Sequence, residues 1–565
     1  MFTPSPGRAS DAASSIAPPR RSASASSAEA QQAARVARGV VSARKAGARL
    51  AAMAVRTAVR VTGEDLTADD VWTVAVHGAP ADLADEAARR IVRARDVVER
   101  VTRERGQTYG VNTGFGRFVS RPIPEELTEE LQLRLLRSHA CGVGEPYPAE
   151  VVRAAMLLRA NTLAKGYSGA RIETVELLLA CLNRNVLPHV PSRGSVGASG
   201  DLAPLAHLAL PLVGEGEAWV EGRRVPGAQA LAAAGLEPIR LRAKEGLSLV
   251  NGTQFMAAIG ALALVRARRL AKVADCACAL TVEALQGSER SFKPQIHDAR
   301  PLRGQRDSAA NVLRLLEGSA IIEAHRWCDK VQDAYSLRCA PQVHGASRDL
   351  LDYVEYTVGT ELNSATDNPL VLVDEEELVS NGNFHGQPVA FALDALAIAV
   401  SELASISERR VERLVNPTLS EGLPAFLTVD GGLNSGFMIP QYVAASLVSE
   451  NKALAHPASV DSIPTSAGQE DHVSMGNAAG LKAWQVLANA ERAIAIELLA
   501  AAQAVEFLAP LAPGEGASAL HAAIRELSPR LADDRPLGAD IEAVASAIRS
   551  GTVVASVELA CGELA

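Results

Sequence analysis

The sequence predicts an all-α fold, a bundle of long helices carrying a smaller, loop-rich N-terminal part. Three observations predict it. Apolar residues recur at helical spacing over unusually long stretches, including one of about 35 residues from near Asn251 to near Gly287 and others over Gly386–Val415 and Met475–Glu506. Hydrophobic residues make up 48% of the 565-residue chain while aromatics supply only 4%, and alanine is abundant, which suits close-packed helices better than a β-rich core. The long stretches are not repeats of one another, and Asp394, Glu402, Glu491 and Glu497 interrupt them, a pattern of bundle helices with an extended axis rather than membrane spans.

Residues 1–52 stand apart. They are rich in Ala, Ser, Pro and Arg, with eight basic and two acidic residues. The whole chain carries −9, so this net of +6 leaves −15 on the remainder. We expect a disordered extension here, with Met53 a plausible start of the catalytic domain at residues 53–565. An Arg- and Ser-rich, acid-poor segment also resembles a transit peptide, but no apolar core of a secretory signal is present.

Residues 56–62 alternate like a short strand, and Leu66–Val76 reads as a helix. Leu83–Gly106 has the apolar spacing and charge of an amphipathic helix. The glycine-rich stretch Tyr109-Gly110-Val111-Asn112-Thr113-Gly114-Phe115-Gly116 follows as a loop. Helices are predicted over Glu125–Arg137, Ala149–Lys165 and Arg171–Asn185, with Ser138-His139 just after the first. Next comes Gly194-Ser195-Val196-Gly197-Ala198-Ser199-Gly200-Asp201, and a helix over Leu202–Leu212 that Asp201 would start and whose first turn tolerates Pro204. Glu215–Val225 reads as a hairpin, the one convincing β element of this half. Further helices are expected over Ser347–Glu361 and Pro440–Ala455, and short helices with Pro/Gly turns beyond Pro510.

The acidic balance argues against nucleic acid as the main partner. Residues 246–265 carry no charge but contain Asn251-Gly252-Thr253-Gln254, so they are not a membrane span. Seven cysteines without a CxxC pair fit a reducing, cytoplasmic compartment, and all seven are read as buried or inert thiols. No metal site is expected: His385 and His472 lack ligand spacing around them.

Ala198-Ser199-Gly200 has an unusual chemical option. If the backbone bends tightly, the Gly200 amide nitrogen can attack the Ala198 carbonyl carbon. Loss of water then closes a five-membered ring, and loss of the Ser199 hydroxyl leaves an exocyclic methylidene. Glycine suits the attacking position because it has no Cβ to obstruct the bend. By itself the tripeptide reads first as a glycine-rich turn before a helix, and the rest of the chain has to decide.

The set of loops resembles the aromatic amino acid ammonia-lyases. The stretches that carry the resemblance are Gly194–Leu205, Tyr109–Gly116, Gln332-Asp333-Ala334-Tyr335-Ser336-Leu337-Arg338-Cys339, Asn251–Gln254, Gly382-Asn383-Phe384-His385 and Gln469-Glu470-Asp471-His472-Val473-Ser474-Met475. They fall in order from about Met53 to the C-terminus. The resemblance implies a fumarase/aspartase-like helical bundle and a 4-methylideneimidazol-5-one (MIO) made from Ala198, Ser199 and Gly200, with no external cofactor. It implies that Tyr109 removes a weakly acidic β-proton, that Arg338 holds the substrate carboxylate, and that Asn251 and Tyr335 sit by the ring and the substrate amine. Gln332 and Phe384 would line the pocket. It also implies a homotetramer whose sites are built from more than one subunit.

Ser138-His139 resembles the histidine-specific members, where phenylalanine lyases have Phe-Leu and tyrosine lyases His-Leu. Glu470 agrees, since the phenylalanine enzymes lack that glutamate. The implied reaction is elimination of ammonia from L-histidine to give trans-urocanate, with His139 binding the imidazole and Glu470 binding it or passing a proton. A tyrosine or phenylalanine lyase or aminomutase on the same scaffold is the competing reading. Gly468 departs from the family, which often has asparagine there, and only a mild effect is expected.

Overall fold

The computed structural model describes residues 58–104, 109, 111–114 and 116–565. The extension over residues 1–52, Met53, the first residues of the strand read over 56–62, the last two of the helix read to Gly106, and Gly110 and Phe115 of the tyrosine loop lie outside the described residues.

Five long helices form the body: Gln254–Ala284, Ala340–Leu362, Gln387–Val415, Met438–Leu454 and Gly476–Val505. Helix Gly476–Val505 packs against three of them, Gln254–Ala284, Gln387–Val415 and Met438–Leu454. Helix Ala340–Leu362 closes the bundle against Gln254–Ala284 and Gln387–Val415. The contacts are dominated by Ala, Leu, Ile and Val; Ala277, Ala397 and Ala493 are all fully buried. Small side chains let helix axes approach closely, which explains the low aromatic content of so large a core. Helix Gln387–Val415 is long and apolar enough to cross a membrane, but two-thirds of its apolar window is buried within the bundle. Its Asp394 carboxylate accepts hydrogen bonds from the Ala458 and Ser459 amides.

Ion pairs tie the bundle together internally. Arg266 forms a two-pronged pair with Glu491 at 2.8 and 2.9 Å. Arg410 pairs with Glu497, which also accepts from Thr281. Asp275 accepts from His344 Nδ1 at 2.7 Å, Arg348 at 2.6 Å, Ser308 at 2.5 Å and Asn311 at 2.9 Å. Burial alone would push the Asp275 carboxyl up, but Arg348, His344 and the donors outweigh it and hold it well below the usual range. Replacing Asp275 by Asn strands the Arg348 guanidinium in the core. We expect a loss of about 3–5 kcal/mol, read as a lower denaturant midpoint.

The N-terminal part holds further helices, mostly shorter, among them Ala68–Ala75, Asp85–Glu104, Thr128–His139, Ala149–Ala164, Ile172–Asn183 and Leu202–Ala209. Thr67 starts the first with a reciprocal capping box to Asp70. The expected hairpin forms as Glu217–Val220 and Arg223–Pro226, turning at Glu221-Gly222, both at positive φ. It is not the one β element of this half. Leu187–Pro188 adds a third strand, Val59–Val61 pairs in parallel with Ala81–Leu83, and Val143–Pro146 pairs with Pro191–Arg193. These strands are only two to four residues long, too short for a period of two to stand out.

The helix read from near Asn251 to near Gly287 forms as Gln254–Ala284, and a break over 251–253 separates it from a short helix, Glu245–Val250, that the sequence reading passed over. Asn251 is extended, and Gly252 has φ +131°. The break turns the Gly252 backbone toward the Ala198–Gly200 loop. Cys181, Cys276 and Cys278 are buried and burial pushes their thiols up, but Cys141 and Cys328 are exposed.

Candidate active site

The Ala198-Ser199-Gly200 loop is fixed from three sides. The Gly252 N–H donates to Ser199 O at 3.2 Å, and the Asp201 N–H donates to Gly252 O at 2.7 Å. This parallel bridge uses the groups flanking Gly200, so the bonds leave the Gly200 N–H itself turned away from Gly252. Gly200 has φ +73°, and a Cβ there would lie 2.0 Å from Gly252 O. Only glycine fits, for conformation and for space. On the second side Ser195 Oγ donates to Asp201 at 2.9 Å and to Gly200 O at 3.3 Å. On the third, Ser474 Oγ donates to Gly197 O at 3.0 Å and the Met475 N–H to Val196 O at 2.9 Å. A loop so bent, with the Gly200 amide left unspent by the bridge, fits the ring closure that the tripeptide allows.

Asp201 does not cap its own helix, as its position suggested. Its carboxylate accepts from the Phe255 and Met256 amides at 3.0 and 2.9 Å, at the N-terminus of helix Gln254–Ala284. Complete burial pushes this carboxyl up to about 6, against the pull of those amides, Ser195 and Arg159. Two buried cations complete the support. Arg159 donates to Ser248 O at 2.8 Å, and Lys244, itself at φ +70°, donates to Asp367 at 2.8 Å.

Beside the loop is a cavity of about 410 Å³ whose wall includes Tyr109, His139, Ser199, Asn251 and Glu470. Helix Thr128–His139 delivers His139 at its last residue, and the histidine Nδ1 lies 2.9 Å from Leu135 O. A ring nitrogen facing a carbonyl carries the proton, which leaves Nε2 as the acceptor in the neutral ring. Burial lowers the His139 pKa, outweighing Leu135 O and Glu470, so the ring is neutral near pH 7. Asn251 donates from Nδ2 to Asn368 O at 2.8 Å. Glu470 Oε1 lies 3.5 Å from Ser199 Oγ.

Tyr109 is half-buried. Burial raises its pKa, the Gly116 backbone N–H lowers it, and Glu470 and Asp367 raise it further, for a net rise. Among these causes the Gly116 donor is the one that favours the deprotonated phenol.

The remaining sequence candidates lie elsewhere in the chain. Gln332 and Arg338 line a separate cavity of about 260 Å³ with Gln286–Ser291, His325 and Lys330. Tyr335 is 71% exposed, with the Arg338 guanidinium 4.4 Å from its ring centre. The Arg338 Nε has no hydrogen-bond partner among the described residues. Phe384 is half-buried in the turn before His385, whose ring stacks on His472 at 5.6 Å, and it does not line the Ser199 cavity. One chain thus brings together Tyr109, His139, Ala198, Ser199, Gly200, Asn251 and Glu470, and keeps Gln332, Tyr335, Arg338 and Phe384 apart from them. The wall also includes Gly116, Arg117, Phe118, Leu135, Leu202, Leu247, Ser466 and Ala467, to which sequence reasoning assigned no site role. Among the described residues no group of three or more His, Cys, Asp or Glu is placed to hold a metal.

Gly468 has φ +82° with open space where a Cβ would point. Glycine and asparagine are the residues that enter this left-handed region most readily, so the exchange between them has a backbone reason. We expect Gly468→Asn to keep turnover within about twofold, and Gly468→Val, β-branched at positive φ, to lower the thermal midpoint.

The family model for aromatic amino acid lyases matches residues 66–526. The chain is 58% identical to a histidine ammonia-lyase from Gloeobacter violaceus over 89% of this chain and 98% of the relative. It is 56% identical to one from Symbiobacterium thermophilum, covering 89% and 99%. Among solved structures, histidine ammonia-lyase from Trypanosoma cruzi aligns with a TM-score of 0.83 at 48% identity, covering 89% and 95%. Tyrosine aminomutase from Streptomyces globisporus aligns with 0.86 at 40% identity, covering 90% and 100%. The backbone alone does not separate the two activities, and sequence identity favours the first. The bundle, the bent Ala-Ser-Gly loop and these likenesses agree: the chain belongs to the aromatic amino acid lyase family.

Proposed function

We propose that this protein is a histidine ammonia-lyase that eliminates ammonia from L-histidine to give trans-urocanate. The observation that carries the reading is the convergence of His139 and Glu470 with Ser199 and Tyr109 on one cavity. Closed to a 4-methylideneimidazol-5-one, Ala198-Ser199-Gly200 supplies an electrophilic carbon where the substrate is captured.

The chain's own side chains do the rest. Neutral His139 accepts the imidazole N–H at Nε2, and Glu470 binds the imidazole from the side of Ser199. Tyr109 takes the β-proton as its Cβ–H bond gives way to the new Cα=Cβ bond and the Cα–N bond breaks. Asn251, with its amide nitrogen tied to Asn368 O, keeps its carbonyl oxygen for the substrate amine. Arg338 binds the carboxylate as a two-pronged donor, with Tyr335, Gln332 and Phe384 beside it.

Arg338, Gln332 and Tyr335 reach that substrate only from another subunit, which supports a homotetramer with shared sites. Large apolar side chains left in the open on the long helices, Tyr356, Ile439 and Tyr442, support it too. Mixing inactive Tyr109→Phe and Arg338→Met chains under exchange conditions should restore turnover in hybrid assemblies. Seven free thiols fit a reducing, cytoplasmic setting.

Incubation of the purified protein with L-histidine, L-tyrosine or L-phenylalanine, followed in the near ultraviolet, tests the substrate. Urocanate from histidine alone is the expected result. Product from tyrosine with none from histidine would place the chain with the competing members of the family.

A further inference from the structure

The loop that presents Glu470 is built unlike an ordinary turn. Thr465 and Glu470 pair across it: the Thr465 N–H donates to Glu470 O at 2.8 Å and the Glu470 N–H donates to Thr465 O at 3.3 Å. Between them Ser466, Ala467 and Gly468 have φ of +51°, +55° and +82°. Two of these three carry a Cβ. A consecutive left-handed run of this kind persists only where its surroundings hold it. Here the Gly468 N–H donates to Thr465 O at 3.0 Å and the Gln469 N–H to Ser466 O at 3.2 Å. The Ser466 hydroxyl also fills the space that a Cβ on Gly116 would need, so the turn leans on the loop that carries Tyr109.

The strain has a visible product. Thr465 Oγ1 donates to Glu470 Oε2 at 2.7 Å, while Oε1 is the oxygen nearest Ser199 Oγ, at 3.5 Å. Thr465 and Ser199 are the two side-chain partners of this carboxylate among the described residues. Glutamate has three rotatable side-chain bonds, and without a fixed partner its carboxylate samples several orientations at the mouth of the cavity. The backbone bonds of the turn need no hydroxyl at position 465. The hydroxyl serves the carboxylate.

We propose that Thr465 is a positioning residue for histidine turnover: its hydroxyl occupies one oxygen of Glu470 and so turns the other toward Ser199 and the substrate. This rests on the reading that Glu470 handles the substrate imidazole. The left-handed turn is the frame that brings Thr465 and Glu470 side by side.

The test is a double-mutant cycle in the full-length assembly, with Thr465→Val, Thr465→Ser, Glu470→Gln and the Thr465→Val/Glu470→Gln pair. Measured for each are kcat and KM for L-histidine, intact mass and thermal midpoint. Thr465→Val keeps the β-branched shape and the backbone bonds. It should retain the loss of two waters and the thermal midpoint while kcat falls about 10- to 100-fold, the scale of a misplaced reacting group. Thr465→Ser should recover most of that loss. In the Glu470→Gln background, Thr465→Val should cost less than about a further twofold, because it acts through the carboxylate. The same fold-loss in both backgrounds would show a general structural role and overturn the proposal. So would near-parental turnover of Thr465→Val beside an impaired Glu470→Gln. Near-parental turnover of Glu470→Gln overturns the reading of Glu470 itself, and this proposal with it. If Thr465→Val is insoluble, Thr465→Ala is read by the same criteria.

Discussion

Replacing Ser199 by Ala is expected to abolish histidine turnover while leaving the fold intact. Ring closure between Gly200 N and the Ala198 carbonyl does not by itself make an electrophile. The exocyclic methylidene appears only when the Ser199 hydroxyl leaves, and alanine has no group to lose. Residue 199 is half-exposed, and the serine hydroxyl's contact to Glu470 in the unclosed loop is 3.5 Å long, so alanine fits there and stability should change by no more than about 0.5 kcal/mol. Turnover should fall by about 10³-fold or more, the scale seen when a covalent participant is lost. Steady-state rates with L-histidine and a thermal melt on the same preparation check both halves. Retained turnover in Ser199→Ala would remove the tripeptide from the chemistry.

Tyr109→Phe carries the second large effect. The change deletes one hydroxyl from a half-buried ring and should leave the loss of two waters on ring formation intact. Loss of a general base costs about 10²- to 10⁴-fold in kcat. The pH dependence gives the sharper signature. Burial, Glu470 and Asp367 place the phenol above its ordinary value of about 10, despite the Gly116 amide. A base must be deprotonated to act, so less than about one site in 10³ is competent at pH 7, and this fraction grows tenfold per pH unit. In the parent, kcat/KM should therefore climb with pH above neutrality. In Tyr109→Phe the climb should vanish. A flat parental profile over that range, or an unchanged slope in the variant, would take the base role from Tyr109.

What could be read from sequence, and what could not, follows from the range of the forces involved. Helical periodicity is local, so the bodies of Gln387–Val415 and Gly476–Val505 were legible nearly to the residue. The short helix Glu245–Val250 was not, since six residues are too few for a helical period to stand out, and nor was the bend that follows it. Its cause is a distant partner, the Gly200 loop, and no local signal announces a bridge between residues so far apart. Asp201 misled for the same reason: its place marks the start of one helix, while its carboxylate serves the start of another.

Site residues of rare type in glycine-rich loops stood out, and Tyr109, His139, Ser199, Asn251 and Glu470 do meet at one cavity. Thr465 is an unremarked threonine in sequence, and its value comes from a left-handed turn that brings its hydroxyl to Glu470. Lys244 likewise looks like a surface lysine in an Arg- and Lys-bearing stretch, yet it is fully buried against Asp367. Arg338 and Tyr335 were singled out by motif, and a single chain's periodicity does not say that they fall outside the cavity that Ser199 lines.

The most direct measurement is the intact mass of the purified chain beside that of Ser199→Ala. If Ala198-Ser199-Gly200 forms the electrophile, the parent is lighter than its translated sequence by two water molecules, while Ser199→Ala loses at most one from its own translated mass. A parent at the full, unmodified mass that still converts L-histidine to urocanate would contradict it.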